Sequence, residues 1–323
     1  MLSLCICTRN RPLDVERCVG SLVRSCRPES GDEIVVIDDG DLADAFVATL
    51  RQRAIAAGFG FTYHRKQVQD GLYASRRVAA SIVTGDVIVF LDDDVEVPED
   101  FLSKLRAHYE QDSQLMGVGG VDVAPGGSFA GYLFRRIFLI AGRKPGRLSV
   151  TGMAGSAYKW PHEGRPFDTE FMCGFCMTYR RSAVSQLLPL PWLVGYSPGE
   201  DLLVSKQAAR HGRLLIDPAL QVVHHHSPTN RWDSVKLRSQ LILLAIPSMR
   251  ILRPTTAARV LIHWSILGSL IHPLLALRWK EFVKTLNAVM TPMANSPQGF
   301  SLDLEGEHVS PPVTAQTRSG PSE

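Results

Sequence analysis

Val87-Ile88-Val89-Phe90-Leu91-Asp92-Asp93-Asp94 is an unbroken apolar run that ends abruptly in three adjacent carboxylates. Five consecutive apolar residues, mostly β-formers, read as a strand buried on both faces. Like charges side by side repel, so a triplet at the mouth of a core strand needs a compensating partner. A hard divalent cation, Mg²⁺ or Mn²⁺, takes oxygen ligands and bridges carboxylate to phosphate. In an open α/β sheet the carboxyl ends of the strands are also where ligands bind. The competing reading is an acidic turn that leads to Pro98 and caps the next helix.

Upstream of this strand the pattern alternates. Leu2–Thr8, Glu33–Ile37 and Phe59–His64 read as strands, and Leu13–Ser25, Phe46–Ala57 and Tyr73–Val83 as helices between them. Strands alternating with helices predict an α/β fold with a mainly parallel, Rossmann-like sheet flanked by helices. Downstream, Phe101–Tyr109 reads as a helix and Met116–Val123 as a glycine-broken strand. Residues 125–170 show no clear period, which points to a binding loop. Phe171–Tyr179 and Leu214–His224 read as strands, with a helix over Leu202–His211 between them.

The chain has 323 residues, of which 45% are hydrophobic and 21% charged. That suits one large α/β domain with an appendage, or two closely joined halves. A formal charge of +3 is too small for a nucleic-acid binder by bulk electrostatics. The distribution is more telling, because nine basic and only two acidic residues fall between Arg231 and Lys284. Val260–Leu277 is nearly continuous apolar sequence, at the lower limit for crossing a bilayer. Pro273 and two histidines favour a kinked, partly inserted or interfacial segment, whose basic flanks would attract anionic lipid on the cytoplasmic leaflet. The alternative is a buried helical hairpin. After Asn295 the chain is rich in Pro, Ser, Gly and acids and is expected to be disordered. Met1 runs straight into a strand, so no signal peptide is expected. The cysteines Cys5, Cys7, Cys18, Cys26, Cys173 and Cys176 read as small buried thiols in a reducing cytosol.

Two further acidic foci stand out. Asp38-Asp39-Gly40 ends the second strand, as a tight turn or as an acceptor for a nucleobase or ribose. Gly199-Glu200-Asp201 precedes a helix, where acids favour the dipole; Asp201 could instead take a proton from an attacking alcohol. Arg76 and Arg77 could neutralise phosphate or pair with these acids. In His224-His225-His226, alternation puts His224 and His226 on one face, where an imidazole could complete a metal site begun by Asp92 and Asp94. Neither a Walker loop nor G-x-G-x-x-G follows the first strand, which argues against an ATPase or a nicotinamide enzyme.

In order, the chain carries Thr8-Arg9-Asn10-Arg11-Pro12, Val35-Val36-Ile37-Asp38-Asp39-Gly40 and Gly71-Leu72-Tyr73-Ala74-Ser75-Arg76. Then come Thr84-Gly85-Asp86, Phe90-Leu91-Asp92-Asp93-Asp94, Gly199-Glu200-Asp201 and Val222-Val223-His224. Together these resemble the family 2 glycosyltransferases, inverting enzymes of the GT-A fold. The resemblance implies a transferase domain over residues 1–230, with a nucleotide-sugar half (1–95) and an acceptor half (96–230). A membrane-associating helical region (231–294) and a disordered tail (295–323) would follow. It implies a nucleotide pocket of Thr8, Arg9, Asp38, Asp39, Arg76, Asp92 and Asp93, with Asp38 on the base. It further implies Mn²⁺ or Mg²⁺ on Asp92, Asp94 and His224, Asp201 as catalytic base, and Gly174, Glu200 and Trp232 on the acceptor side. Arg77 stands where the family often has Asn.

The activity so implied is a single displacement from a UDP, dTDP or GDP sugar to a hydroxyl, with a lipid-linked or cell-surface glycan intermediate as acceptor. The enzyme would lie on the cytoplasmic face of the cell membrane, bound to an anionic surface, with no nucleic-acid partner. Asn230-Arg231-Trp232 keeps only the final Arg-Trp of the Q-x-x-R-W signature of processive synthases, which favours single addition. The alternatives are a polyprenyl-phosphate sugar transferase and a non-catalytic membrane scaffold on a degenerate transferase fold.

Overall fold

A computed structural model describes residues 1–123, 128–154, 164–229 and 232–294. The first half is β1 (Leu2–Thr8), α1 (Pro12–Ser25), β2 (Glu33–Asp38), α2 (Asp44–Ala56), β3 (Gly60–Arg65), α3 (Leu72–Ile82) and β4 (Val87–Asp92). The second is β5 (Val95–Glu96), α4 (Phe101–Gln111), β6 (Leu115–Asp122), α5 (Phe129–Ile137), β7 (Phe167–Thr169), β8 (Cys176–Arg180), α6 (Arg181–Val184), α7 (Glu200–Ala208) and β9 (Arg213–His224). Among the described residues one sheet forms in the order β3-β2-β1-β4-β8-β6-β9-β5, with β7 beside β9.

The first four strands of that order run parallel, and their register fixes the site. Thr8 sits level with Asp38, and Cys7 level with Asp92. The polar ends of β1, β2 and β4 therefore share one edge. β8 runs antiparallel to β4, with Leu91 opposite Cys176, so the loop before β8 reaches the same edge. β9 ends there too, where His224 pairs with Val95.

Alternation along the buried strands builds a core on each face. Leu4, Ile6, Ile34 and Val36 pack with Val15 and Leu22 of α1, Leu50 of α2 and Phe101 and Leu105 of α4. Cys5, Val35, Ile37, Ile88 and Phe90 pack on the other face with Tyr73 of α3 and Leu203 and Val204 of α7. Each such side chain withdrawn from water contributes about 1.5–3 kcal/mol. All six cysteines are free thiols.

Two expectations are corrected. The stretch read as aperiodic holds α5 and β7; residues 125–127 and 155–163 of it lie outside the described residues. The strand expected from Phe171 begins only at Cys176. Its first residues turn away from the sheet because the backbone at Gly174 bonds instead to Arg76 and Asp201.

The chain continues into α8 (Ser234–Leu252), α9 (Thr256–Leu275) and α10 (Trp279–Ala294), which pack on one another. α8 also leans on α7 and lends Leu244 and Leu252 to the core behind it. α9 has a mean hydropathy of 1.3 with 28% of it buried, and is the one helix among the described residues long and apolar enough to cross a membrane. It runs unbroken to Leu275, with Pro273 in its last turn. The expected disordered tail, 295–323, and Arg231 of the Arg-Trp pair lie outside the described residues.

Candidate active site

The three carboxylates after β4 part company. Asp92 is partly exposed and accepts from Arg76 Nη2 at 3.2 Å. Asp93 is buried, accepting from Thr8 Oγ1 at 2.7 Å and from Arg11 Nη1 at 3.1 Å. Asp94 is buried against His224 Nε2 at 3.1 Å and accepts from the Ser227 N–H at 2.8 Å. Burial pushes Asp93 up to about 7 in spite of Arg11 and Thr8. For Asp94, burial acts the same way, but the His224 and Ser227 hydrogen bonds outweigh it and hold the carboxyl at about 2. The triplet thus disperses its repulsion over three different partners.

A ligand atom from each of Asp92, Asp94 and His224 lies within 4.8 Å of the others. Two carboxylate oxygens and one imidazole nitrogen suit a hard or borderline divalent cation such as Mn²⁺ or Mg²⁺, so the residues present fit one. Asp122, His224 and His226 form a second such group around the same imidazole. His225 turns the other way, to Glu96 at 2.6 Å.

Arg76, on α3, is 1% exposed and organises the next layer. Its guanidinium pairs with Glu200, reaches Asp92, and donates to the Gly174 carbonyl at 2.9 Å. The Gly174 N–H in turn donates to Asp201 Oδ2 at 3.1 Å. A continuous chain of contacts therefore runs from Asp92 through Arg76 and Gly174 to Asp201. Burial pushes Asp201 above its ordinary value and Glu200 up to about 7. Glu200 Oε2 is buried without a hydrogen-bond partner. Gly199, at φ 90°, is the N-cap that starts α7 in the left-handed region, from which these acids project. Arg77 faces elsewhere, donating to the Leu187 carbonyl at 3.1 Å.

The two aspartates after β2 also divide. Asp38 is fully buried, and its oxygens accept from the Gly40 and Leu42 N–H groups and from Tyr63 Oη, all within 2.8 Å. Asp39 faces an open crevice of about 600 Å³, which is also lined by Thr8, Arg9, Asp92, Asp93 and Trp232. Lys66 holds Asp39 at 2.6 Å and donates to the Gly71 carbonyl and Ser75 Oγ. Gly71 has φ 102°, and a Cβ there would lie 2.0 Å from the Gly195 carbonyl, so that close backbone approach requires glycine. Across the crevice Trp232 meets Tyr196 edge to face at 5.2 Å, with Lys236 Nζ 4.3 Å from its ring centre.

Of the residues singled out in the sequence, Thr8, Arg9, Asp39, Asp92, Asp93 and Trp232 line this crevice. Asp94 and His224 stand beside Asp92; Arg76, Gly174, Glu200 and Asp201 form the adjoining network; the Asp38 carboxylate is spent on its own turn. Lys66, Arg11 and Lys236 were not singled out. Lys66 could have been found, because it follows a strand at the same carboxyl edge.

These features define an open, charged crevice at the carboxyl ends of parallel strands, and the chain belongs to glycosyl transferase family 2, whose model matches residues 3–188. No relative among curated proteins matches the sequence. Solved structures similar to it in fold include the following three. The mannosyltransferase PcManGT from Pyrobaculum calidifontis, in complex with GDP-Man and Mn²⁺, has a TM-score of 0.58 at 15% identity, over 90% of this chain and 87% of that one. S. aureus TarS 1-349 in complex with UDP-GlcNAc has a TM-score of 0.55 at 14% identity, over 89% and 79%. GalNAc-T7 with UDP, GalNAc and Mn²⁺ has a TM-score of 0.51 at 18% identity over 76% of this chain, but the match spans only 48% of that chain.

Proposed function

We propose that this glycosyltransferase moves a sugar from a nucleoside-diphosphate donor to a hydroxyl with inversion, in one displacement. The observation that carries the reading is the contact chain from Asp92 through Arg76 and Gly174 to Asp201, beside a crevice large enough for a nucleotide. Similarity to folds bound to UDP-GlcNAc, GDP-Man and UDP supports the donor class.

Asp39, held by Lys66, binds the base and ribose end of the donor, and Arg9 and Arg11 draw in its negative charge. Asp92, Asp94 and His224 would hold Mn²⁺ or Mg²⁺, which when bound supplies Lewis-acid compensation for charge on the leaving diphosphate. Asp201 takes the proton from the acceptor hydroxyl as that oxygen attacks the anomeric carbon, and its raised pKa makes it a better base. Arg76 positions Asp201 through the Gly174 peptide. Glu200, paired with Arg76, supports the acceptor side by holding that guanidinium. No enzyme nucleophile is needed.

The acceptor is a lipid-linked or cell-surface glycan intermediate, with the enzyme held peripherally on the cytoplasmic face of the membrane by its C-terminal helices. The support is an apolar, largely exposed α9 inside a basic region. Asp201→Asn is expected to abolish transfer and leave Mn²⁺-dependent UDP binding, read by calorimetry, nearly intact. Retained turnover would remove Asp201 from the role of base. Absent metal-dependent nucleotide binding in the unaltered protein would favour a non-catalytic scaffold.

A further inference from the structure

We propose that the chain carries a second anion site, apart from the donor crevice, that takes the phosphate headgroup of a membrane lipid. Arg136, Arg143, Arg147 and Arg253 line a cavity of about 400 Å³ that shares no lining residue with the crevice. Three segments build it: the last turn of α5, the loop after it, and the turn between α8 and α9. Arg253 is fixed by Glu170 at 2.6 Å, and Glu170 also accepts from the Leu148 N–H at 2.8 Å. Arg136 is fixed by the Ala141 carbonyl at 3.0 Å. Arg143 and Arg147 are exposed and have no carboxylate within ion-pair distance among the described residues. Four guanidinium groups thus meet one carboxylate. A phosphate ester relieves that repulsion, and its oxygens match the planar forks of arginine.

The surroundings choose the source of the phosphate. Arg136 and Leu139 of the cavity flank Ile137, which with Phe129 and Leu133 forms an apolar stripe on α5 at i, i+4 and i+8. All three are exposed, Phe129 by 70%. Val260 and Trp264 of α9 are exposed as well. The two helices are locked together. Phe138 sits where a Cβ on Gly268 would approach within 2.3 Å, and it stacks on Trp264 at 4.8 Å. Trp264 Nε1 donates to the Ile137 carbonyl at 2.9 Å. Arg250 and Arg259, also exposed, flank the same α8–α9 turn. A soluble phosphate satisfies the arginines and leaves the stripe in water. A lipid satisfies both, with its headgroup in the cavity and its chains against α5 and α9.

The proposal rests on the membrane-surface reading above, and the test separates the two. The full chain is floated with vesicles of phosphatidylcholine alone and of phosphatidylcholine with phosphatidic acid, with and without added inorganic phosphate. The unaltered protein is expected to float only with phosphatidic acid present. Arg143→Gln/Arg147→Gln is expected to weaken that binding by about tenfold or more, with Mn²⁺-dependent UDP binding unchanged. Lys280→Gln/Lys284→Gln removes the same charge from α10 and is expected to cost less. Equal losses in the two variants would mean diffuse attraction and overturn the site. Free phosphate that binds the arginines while vesicles do not would overturn the lipid as its source. An unaltered protein that floats with neither vesicle and binds no free phosphate would overturn the membrane reading and this site together, leaving the transferase reading untouched.

Discussion

Replacing Arg76 with Met tests the reasoning about the active-site network most severely. The substitution keeps an apolar stem and deletes the guanidinium that pairs with Glu200, meets Asp92 at 3.2 Å and donates to Gly174 at 2.9 Å. Arg76 is 1% exposed and Glu200 4%, so solvent replaces none of these contacts. Removing one partner of such a pair costs about 3–5 kcal/mol. At about 2–4 °C per kcal/mol for a domain of this size, the melting temperature should fall by about 6–20 °C. The loss should depend on pH. Burial already pushes Glu200 up to about 7 against the pull of Arg76, and without the guanidinium it climbs further. A carboxyl raised on folding binds more protons folded than unfolded, so its contribution is present below its unfolded pKa and fades as pH rises through the folded one. The deficit should therefore be smaller near about pH 5 than near about pH 8. Glu200→Gln added to Arg76→Met should recover part of the loss, because it removes the stranded charge. Thermal unfolding by circular dichroism at both pH values reads all of this. A melting temperature within about 2 °C of the unaltered protein at the higher pH, under 1 kcal/mol on the same scale, refutes the argument. So does a double variant no more stable than Arg76→Met.

Other consequences can be measured directly. Asp94→Asn and His224→Ala should each weaken Mn²⁺-dependent UDP binding by roughly 10–100-fold, and titration calorimetry showing unchanged metal dependence would exclude them as ligands. Gly71→Ala forces a side chain into φ 102° and against Gly195. It should cost about 1–3 kcal/mol or more in urea unfolding and loosen the Lys66 anchor; wild-type stability would contradict it. Asp217 is buried, which raises its pKa, but bonds from His108 at 2.7 Å and the Ala219 N–H at 2.8 Å prevail and hold the carboxyl below its ordinary value. Its stabilisation is therefore present above the unfolded pKa and lost as pH falls through the folded one. Asp217→Asn should flatten the acid side of the stability profile, and identical acid unfolding curves would count against the pair.

The parallel half of the sheet was legible because its central strands are buried on both faces, and short continuous runs such as Val87–Leu91, bounded by Gly85 and the acidic triplet, favour a strand over a helix. The acidic ends of those strands named one edge of the molecule. Sequence could not divide Asp38 from Asp39, since the two are chemically identical and only the backbone path sends one carboxylate into its own turn. Helix α5 escaped notice for a different reason. Nine residues make only about two and a half turns, too few for its Phe129-Leu133-Ile137 stripe to stand out among the surrounding glycines, arginines and aromatics. The strand expected from Phe171 was overextended because apolar composition cannot foresee that Gly174 bonds sideways to Arg76 and Asp201. Lys66 and Arg11 were passed over as ordinary charges. Each became a site residue only through a partner far along the chain, Asp39 for one and Asp93 for the other.

Leu244 and Leu252 of α8 lie in the same core as Leu203 and Val204 of α7. The helical tail is therefore a buttress and not a leash. Trimming it would strip the backing from the helix that bears Asp201, so cleavage near residue 233 should destabilise that helix. A shift of the tail would therefore reach the acid-bearing helix through that one hydrophobic wall.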